Sequence, residues 1–242
     1  MKYLLEIWRQ KNRDTAGSYR TYLYETDSAS VTVAAALSEL NEKNELTDTD
    51  GNITERIAWE CSCLQKKCGA CAMLIDGRPR LACDTRLSES KKGRLRIEPL
   101  RKFPIIADLM VDRQIIFDDL MKMQLWAESD IFADDRNNSV MYEASRCLQC
   151  GCCLEVCPNF AAGGGFYGMS AMVPASRLIA AMKGRSANDL KKRYGRAVTD
   201  GCGKSLACRN ICPAGIDIEG LMARSNAAVL WRLFSGLRDK NQ

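Results

Sequence analysis

The sequence contains no histidine, although 13 of its 242 residues are cysteine. Most zinc, copper and non-haem iron sites take at least some imidazole ligands, so any metal bound here is expected to be held through sulfur. Without histidine the chain cannot form a Ser-His-Asp arrangement, and no pair of carboxylates stands out as a catalytic acid and base. We therefore expect no substrate chemistry on this chain itself.

Long hydrophobic runs are also missing. No apolar stretch approaches the roughly 20 residues that span a bilayer, and MKYLLEIWRQKNRD places charges at Lys2, Glu6 and Arg9 where a signal peptide would be apolar. This favours reduced thiols on the cytoplasmic side over a secreted disulfide framework. The absence of an Arg- and Ser-rich, acid-poor leader predicts a prokaryotic chain or one that has already been trimmed. A protein of this kind working at a membrane would need a partner to hold it there. The net charge of +5 is spread along the chain and gives no reason to expect nucleic acid.

The hydrophobic pattern changes about two fifths of the way along the chain. Residues 1–102 contain alternating segments typical of strands (KYLLEIW, SYRTYLYE, RLRIEPL), a hairpin AMLIDGRPRLAC turning at Asp76-Gly77, and one helical segment, TVAAALSELNEKN. After residue 102 apolar residues recur at helical spacing, in MVDRQIIFDDLMKMQLWAE, PASRLIAAMKG and DIEGLMARSNAAVLWRLFSGL. We predict an α+β protein with an N-terminal domain over residues 1–102 and an all-α domain over residues 103–242.

The second half contains one cysteine motif twice. RCLQCGCCLEVCP follows the CxxCxxCxxxCP pattern of bacterial ferredoxins, and the second copy, from Cys202, lies 55 residues after the first. In such pairs three cysteines of one run hold one cluster, and the cysteine before proline serves the other cluster. A [4Fe-4S] cluster is therefore predicted on Cys147, Cys150, Cys153 and Cys212. The second cluster is predicted on Cys157, Cys202 and Cys208.

The second copy has Ser205 where the first has a cysteine. A serine oxygen is a hard and weakly acidic ligand that holds cluster iron poorly, so the second site predicts a [3Fe-4S] cluster. Ligation of iron by Ser205 itself, or a fourth iron kept by water, stays open as the alternative.

The first half carries the CxxxxCxxC spacing of plant-type [2Fe-2S] ferredoxins, with a further cysteine twelve residues later. This arrangement predicts a β-grasp ferredoxin domain whose cluster is held by Cys63, Cys68, Cys71 and Cys83. Two cysteines remain, Cys61 and Cys152, and both are interpreted as small, partly buried thiols. Structural zinc is the rival interpretation, but two dense runs that each end in proline are not a zinc-ribbon arrangement.

Two further sequence patterns are interpreted as having no binding or catalytic function. GGGFYG at residues 163–168 satisfies GxGxxG, but it follows a cluster loop and not a strand, so a flexible loop is predicted. KKRYGR at residues 191–196 is a short basic run and is interpreted as a solvated face.

Taken together, these motifs resemble the iron-sulfur subunit of the succinate dehydrogenase and fumarate reductase family. CLQKKCGACAMLIDGRPRLAC, FPIIADLMVD, CLQCGCCLEVCPNF and CGKSLACRNICP occur in the family's order and cover nearly the whole chain. The resemblance implies an electron relay between the covalent FAD of a flavoprotein subunit and a quinone bound by a membrane anchor, which often also holds haem. It implies a peripheral position on the cytoplasmic face of the membrane.

The chain departs from the family pattern near the expected quinone. Many ubiquinone-reducing members have tryptophans after the first Cys-Pro and a histidine after the first cysteine of the second run, where this chain has Asn159, Phe160, Ala161 and Gly203. These differences favour menaquinone, and the resemblance implies that Pro158, Asn159 and Phe160 lie at this subunit's edge of a quinone pocket. The alternative is the iron-sulfur subunit of a related fumarate reductase that uses a thiol or another non-quinone donor.

Overall fold

The computed structural model describes residues 1–126 and 135–238, and the chain divides into two compact units, 1–113 and 114–242. Two residues of the predicted helix at 110–128, Ala127 and Glu128, lie outside the described residues. The predicted fold class is confirmed, because a sheet with one long helix forms the first unit and helices form the second.

The first unit is built on a five-stranded sheet of β1 (Lys2–Arg9), β2 (Ser18–Glu25), β5 (Ala72–Ile75), β6 (Arg78–Leu81) and β7 (Arg94–Glu98). The strand order is β2-β1-β7-β5-β6. Strands β1 and β7 are parallel, and the other neighbours are antiparallel. Two short hairpins accompany them, β3 (Leu46–Thr47) with β4 (Ile53–Thr54), and β8 (Ile105–Ala107) with β9 (Met110–Val111).

Alternation of apolar side chains explains why the central strands form. Leu5 and Ile7 of β1 and Ile97 of β7 are fully buried, as the period of two in their sequences predicts. Helix α1 (Val33–Glu42) begins at Thr32, whose hydroxyl accepts a hydrogen bond from the Ala35 amide and so caps the first turn. A buried face of Val33, Ala34, Ala36, Leu37 and Leu40 completes the amphipathic helix.

The boundary between the units differs from the predicted one, because residues 103–113 belong with the sheet and not with the helices. The β8–β9 hairpin lies in this segment, and its turn residue Asp108 is tied back to the first unit. The Asp108 amide donates to the Gln10 carbonyl at 2.8 Å, and the Leu109 amide donates to the Ala58 carbonyl at 3.0 Å. The prediction that the all-α domain begins at residue 103 was therefore wrong.

The second unit contains helices α2 (Gln114–Lys122), α3 (Asp135–Ser145), α4 (Cys152–Glu155), α5 (Gly168–Ala181), α6 (Gly184–Tyr194) and α7 (Ile218–Arg238). Helix α5 is buried along most of its length and contacts α3 and α7, so it forms the centre of this unit. A π-helical turn, Gly195–Thr199, follows α6 and leads directly into the second cysteine run.

Helix α6 was missed from sequence, because its last residues were interpreted as a solvated basic run. Tyr194 in that run is fully buried, and Arg193 donates from Nε to the Met123 carbonyl at 2.9 Å. The GGG stretch lies in the loop before α5, as predicted, and Gly168 begins that helix at a φ of +65°.

Candidate iron-sulfur centres

The loop of residues 60–71 carries three of the cysteines predicted to bind a [2Fe-2S] cluster, and it takes left-handed backbone conformations at Leu64, Lys66 and Gly69. These turns aim backbone amides at sulfur. The amides of Gln65 and Lys67 donate to Cys63 Sγ at 3.3 and 3.2 Å. The Ala70 amide also donates to Cys68 Sγ at 3.5 Å. Three N–H groups pointing at thiol sulfurs from one loop form a cradle suited to negative charge.

The fourth cysteine of this group, Cys83, comes from a short helical turn after β6 and reaches the same loop. Its Sγ accepts a hydrogen bond from the Lys66 amide at 3.3 Å. The negative charges that Cys83 and Cys68 would carry act on the pKa of Cys71, and Cys68 acts on that of Cys63, so these thiols are neighbours. The structure thus places Cys63, Cys68, Cys71 and Cys83 on or beside one loop.

The protonation of these thiols depends on their surroundings. The Gln65 and Lys67 amides stabilise the thiolate of Cys63 and lower its pKa to about 7. Burial, and the negative charge that Cys83 would carry, raise the pKa of Cys71 to about 12. Cys71 therefore stays protonated by itself at neutral pH, whereas a cationic iron centre would favour its thiolate.

The cysteines of the second unit also gather into groups. Burial raises the pKa of Cys147 to about 11, and repulsion from Cys150 and Cys212 adds to the effect. Burial raises the pKa of Cys153 strongly, with Cys150, Cys147, Cys212 and Cys208 as the next causes. Cysteines of both runs therefore lie close together, and the four predicted ligands Cys147, Cys150, Cys153 and Cys212 are among them.

The remaining cysteines form the second group. Burial raises the pKa of Cys208, and the nearby charges of Cys157 and Cys202 act in the same direction. Ser205 is exposed, and its hydroxyl accepts a hydrogen bond from the Ala207 amide at 3.5 Å. The second group is thus Cys157, Cys202 and Cys208, with Ser205 on the same loop.

The internal repeat is visible in the backbone as well as in the sequence. Gln149 and Gly151 in the first run have φ angles of 51° and 85°, and Lys204 and Leu206, each 55 residues later, have φ angles of 54° and 55°. A left-handed leucine is rare because its side chain is strained there. The second run therefore keeps the turn of a cluster loop even where its sequence has lost a glycine and a cysteine.

Hydrogen bonds join the start of each cysteine run to the end of the other run. Arg146, before the first run, donates from Nη2 to the Ala214 carbonyl after the second run, and Glu143 accepts from the Asp217 amide at 2.9 Å. At the other end, Asn159 Nδ2 donates to the Gly201 carbonyl at 2.8 Å. This antiparallel pairing brings the last cysteine of each run towards the other run.

The residues predicted at a quinone edge have different exposures. Pro158 and Asn159 are exposed, but Phe160 is buried at 4% exposure.

The two cysteines not assigned to a cluster, Cys61 and Cys152, differ in their exposure. Cys152 is fully buried and hydrogen-bonds to Cys150, which raises the pKa of Cys152 well above its ordinary value. Cys61 is exposed, so the expectation that it is partly buried was wrong.

Within residues 1–126 and 135–238, no group of three or more His, Cys, Asp or Glu side chains forms a site that could hold a metal ion. The assignment of individual cysteines to clusters therefore stays a prediction. The donor set nevertheless fits iron-sulfur clusters, because each unit carries several cysteines whose soft sulfur atoms suit cluster iron.

Residues 4–118 match the family described as 2Fe-2S iron-sulfur cluster binding domain, and residues 143–216 match the family described as 4Fe-4S dicluster domain. The succinate dehydrogenase iron-sulfur subunit of Bacillus subtilis is 32% identical over 206 residues, which are 80% of this chain and 79% of that protein. The chain belongs to the family of iron-sulfur subunits of succinate dehydrogenase and fumarate reductase.

Other members of the succinate dehydrogenase and fumarate reductase family agree with this assignment. The fumarate reductase iron-sulfur subunit of Mycobacterium tuberculosis is 28% identical over 74% of this chain and 76% of its own length. A chain of the solved Mycobacterium smegmatis Sdh1 complex in the apo form has the same fold, with a TM-score of 0.78 and 21% identity over 96% of this chain and 97% of that chain.

As a subunit of this succinate dehydrogenase and fumarate reductase family, the chain is an electron-transfer component of an oxidoreductase complex, with a [2Fe-2S] domain and a [4Fe-4S] dicluster domain. Among the helices of the described ranges 1–126 and 135–238, none is long and apolar enough to cross a membrane.

Proposed function

We propose that this chain relays single electrons between the FAD of a flavoprotein subunit and a quinone, menaquinone, at a membrane anchor. The single observation that supports the relay most strongly is that residues 4–118 match a 2Fe-2S iron-sulfur cluster binding domain and residues 143–216 match a 4Fe-4S dicluster domain, so one chain combines centres of different type. In bound form the clusters supply the one-electron redox chemistry. The complex is proposed to lie on the cytoplasmic face of the membrane, with quinone, and in some relatives haem, on the anchor.

Each thiol group has one proposed cluster. The [2Fe-2S] cluster is assigned to the first unit and the [4Fe-4S] and [3Fe-4S] clusters to the second. The ligands are Cys63, Cys68, Cys71 and Cys83 for the first cluster, Cys147, Cys150, Cys153 and Cys212 for the second, and Cys157, Cys202 and Cys208 for the third.

The chain's own residues prepare these sites for electron transfer. Backbone amides donate to Cys63, Cys68 and Cys83, and such hydrogen bonds stabilise the more negative, reduced form of a cluster. In the second unit Gln149 Nε2 donates to Cys147 Sγ at 3.2 Å. The fully buried Cys152 lies beside Cys153 in the chain and limits the access of water to that site.

The solvent exposure of Pro158, Asn159 and Phe160 limits which of them we propose to face the quinone. Asn159 is exposed but bonded to the loop of Cys202, so it links the proposed [3Fe-4S] site to the surface. Pro158 lies beside it and is also exposed, whereas Phe160 supports the edge from within. We propose that Pro158 and Asn159 face the quinone and that Phe160 does not touch it.

The relay is tested on the intact complex purified from its membrane. The bound quinone is identified, and succinate oxidation by quinone is compared with fumarate reduction by quinol. Turnover with either couple supports the proposal. Turnover with a thiol donor and with neither quinone nor quinol would refute it in favour of the non-quinone alternative.

The cluster assignment is tested by Ser205→Cys, with Ser186→Cys in helix α6 as the matched control. A fourth soft ligand at position 205 is expected to convert the three-iron EPR signal of the oxidised protein into the signal of a reduced four-iron cluster. The control should keep the three-iron signal. An unmodified protein with no three-iron signal would contradict the assignment.

A further inference from the structure

Arg113 reaches from the end of the second hairpin into the cysteine loop of the first unit. Its side chain is only 12% exposed. Nη1 donates to the Gly69 carbonyl at 3.1 Å, and Nη2 donates to the Ala70 carbonyl at 2.7 Å. These two successive carbonyls lie between Cys68 and Cys71, so one guanidinium holds the part of the loop that carries two proposed cluster ligands.

The peptide group between Gly69 and Ala70 connects Arg113 to sulfur. Its carbonyl accepts from Arg113, and its N–H donates to Cys68 Sγ at 3.5 Å. The same carbonyl also accepts from the Ala72 amide at 3.3 Å, which fixes its direction. A cation bound to a peptide carbonyl polarises the amide, so the N–H becomes a stronger donor to the thiolate.

The charge of Arg113 is balanced by Glu60, to which Nη2 is also bonded. The Glu60 side chain is 39% exposed, about three times as exposed as that of Arg113. Water therefore screens the carboxylate more than the guanidinium, and the net electrostatic potential at the loop is positive. Arginine keeps its charge at all accessible pH values, so this potential does not change with pH through Arg113.

We propose that Arg113 is a positioning residue that raises the reduction potential of the [2Fe-2S] cluster by holding the Gly69–Ala70 peptide with its N–H towards Cys68. The inference rests on the proposed assignment of that cluster to Cys63, Cys68, Cys71 and Cys83. A reduced cluster carries one more negative charge, so a stronger N–H donor and a nearby cation both favour reduction.

The test is an EPR-monitored redox titration of the [2Fe-2S] signal in the full chain carrying its clusters. Arg113→Gln is expected to lower the equilibrium constant for reduction by about threefold to tenfold, the range that one hydrogen bond of ordinary net strength changes. Glu60→Gln removes the counter-charge and is expected to raise the constant. Arg113→Lys keeps the charge without bridging both carbonyls, so its value should lie between those of wild type and Arg113→Gln.

Arg96→Gln is the matched control, since Arg96 also pairs with a glutamate, Glu6, but lies on the central sheet. Its midpoint should equal that of wild type. The inference would be overturned if the midpoint potentials of Arg113→Gln and Glu60→Gln were unchanged or shifted in the same direction. A merely structural role does not predict that the two variants shift the midpoint in opposite directions. If Arg113→Gln binds no cluster, Glu60→Gln decides alone. Absence of a [2Fe-2S] signal from wild type would instead refute the proposed cluster assignment.

Discussion

Replacing Asp108 by asparagine should destabilise the first unit more than most single substitutions. Asp108 is the turn residue of the β8–β9 hairpin, and its carboxylate is almost buried, at 9% exposure. Oδ1 accepts from the Gln10 amide and Oδ2 from the Ala58 amide, both at 2.8 Å. Oδ1 also forms an ion pair with Arg9 Nε at 3.1 Å, and the Arg9 side chain is itself only 13% exposed.

The magnitude follows from what asparagine cannot replace. Its single carbonyl oxygen can serve one of the two amides, and its NH₂ group would face the other donor. The Arg9 guanidinium would lose its carboxylate in a poorly solvated position, which costs about 3–5 kcal/mol when one partner of a buried pair is removed. For a unit of this size about 1 kcal/mol corresponds to about 4 °C, so a fall of roughly 12 °C or more is expected.

The assay is thermal unfolding of the full chain, followed by visible circular dichroism of the [2Fe-2S] centre. This probe is local, because the Asp108–Ala58 bond anchors the segment that leads into Glu60 and the cysteine loop. Asp14→Asn, an exposed aspartate in the same unit, is the control for the change of charge. Equal midpoints for Asp108→Asn and Asp14→Asn would refute the reasoning.

Two further predictions concern the second unit. Burial raises the pKa of Asp119, although its carboxylate accepts a hydrogen bond from Lys122. A carboxyl group whose pKa is raised by folding contributes its full stabilisation below its ordinary pKa of about 4. That contribution is lost as pH rises through the pKa of the folded state. Asp119→Asn should therefore be more stable than wild type in urea at neutral pH and not at acidic pH; a constant difference would contradict this. Gly203→Ala would place a Cβ 3.0 Å from Asn159 Nδ2 and should weaken the Asn159–Gly201 bond, altering the three-iron EPR line shape. Asn159→Ala added to it should relieve the crowding, and no difference between single and double variants would contradict the contact.

Much of the first unit is predictable because its information is local. The alternation in β1, β2 and β7 and the Asp76-Gly77 turn between β5 and β6 depend only on neighbouring residues. The strands of the short hairpins have only two or three residues and show no periodicity. The hairpin at 105–111 is joined to the first unit by bonds to Arg9, Gln10 and Ala58, which no sequence pattern reveals.

The second unit was harder to predict from its sequence. Helix α6 buries Ala187, Leu190 and Tyr194, which are three and four residues apart, so its apolar stripe was present but narrow among polar residues. The basic residues at its end hid a buried tyrosine. The signal that could have identified the helix is this spacing and not the average composition of the segment.

The candidate centres likewise combine features that the sequence predicts with features that only the structure reveals. The cysteine spacings are local and predict which thiols form a group, because a cluster loop needs its ligands at fixed positions along one turn. Arg113 lies more than 40 residues from the loop that it contacts. Its role depends on the hairpin at 105–111 folding back, so only the structure could indicate it.

The pairing of opposite ends of the two cysteine runs has a consequence for how the protein is made. The first unit's four grouped cysteines all precede Asp84, so that centre can be filled while later residues are still being translated. In the ligand sets proposed above, each centre of the second unit draws on both runs, and bonds of Arg146 and Glu143 to Ala214 and Asp217 join the ends of those runs. On that assignment, iron delivery to the second unit must wait until Cys212 has left the ribosome. A messenger truncated before Cys202 would then yield a protein with the first centre alone.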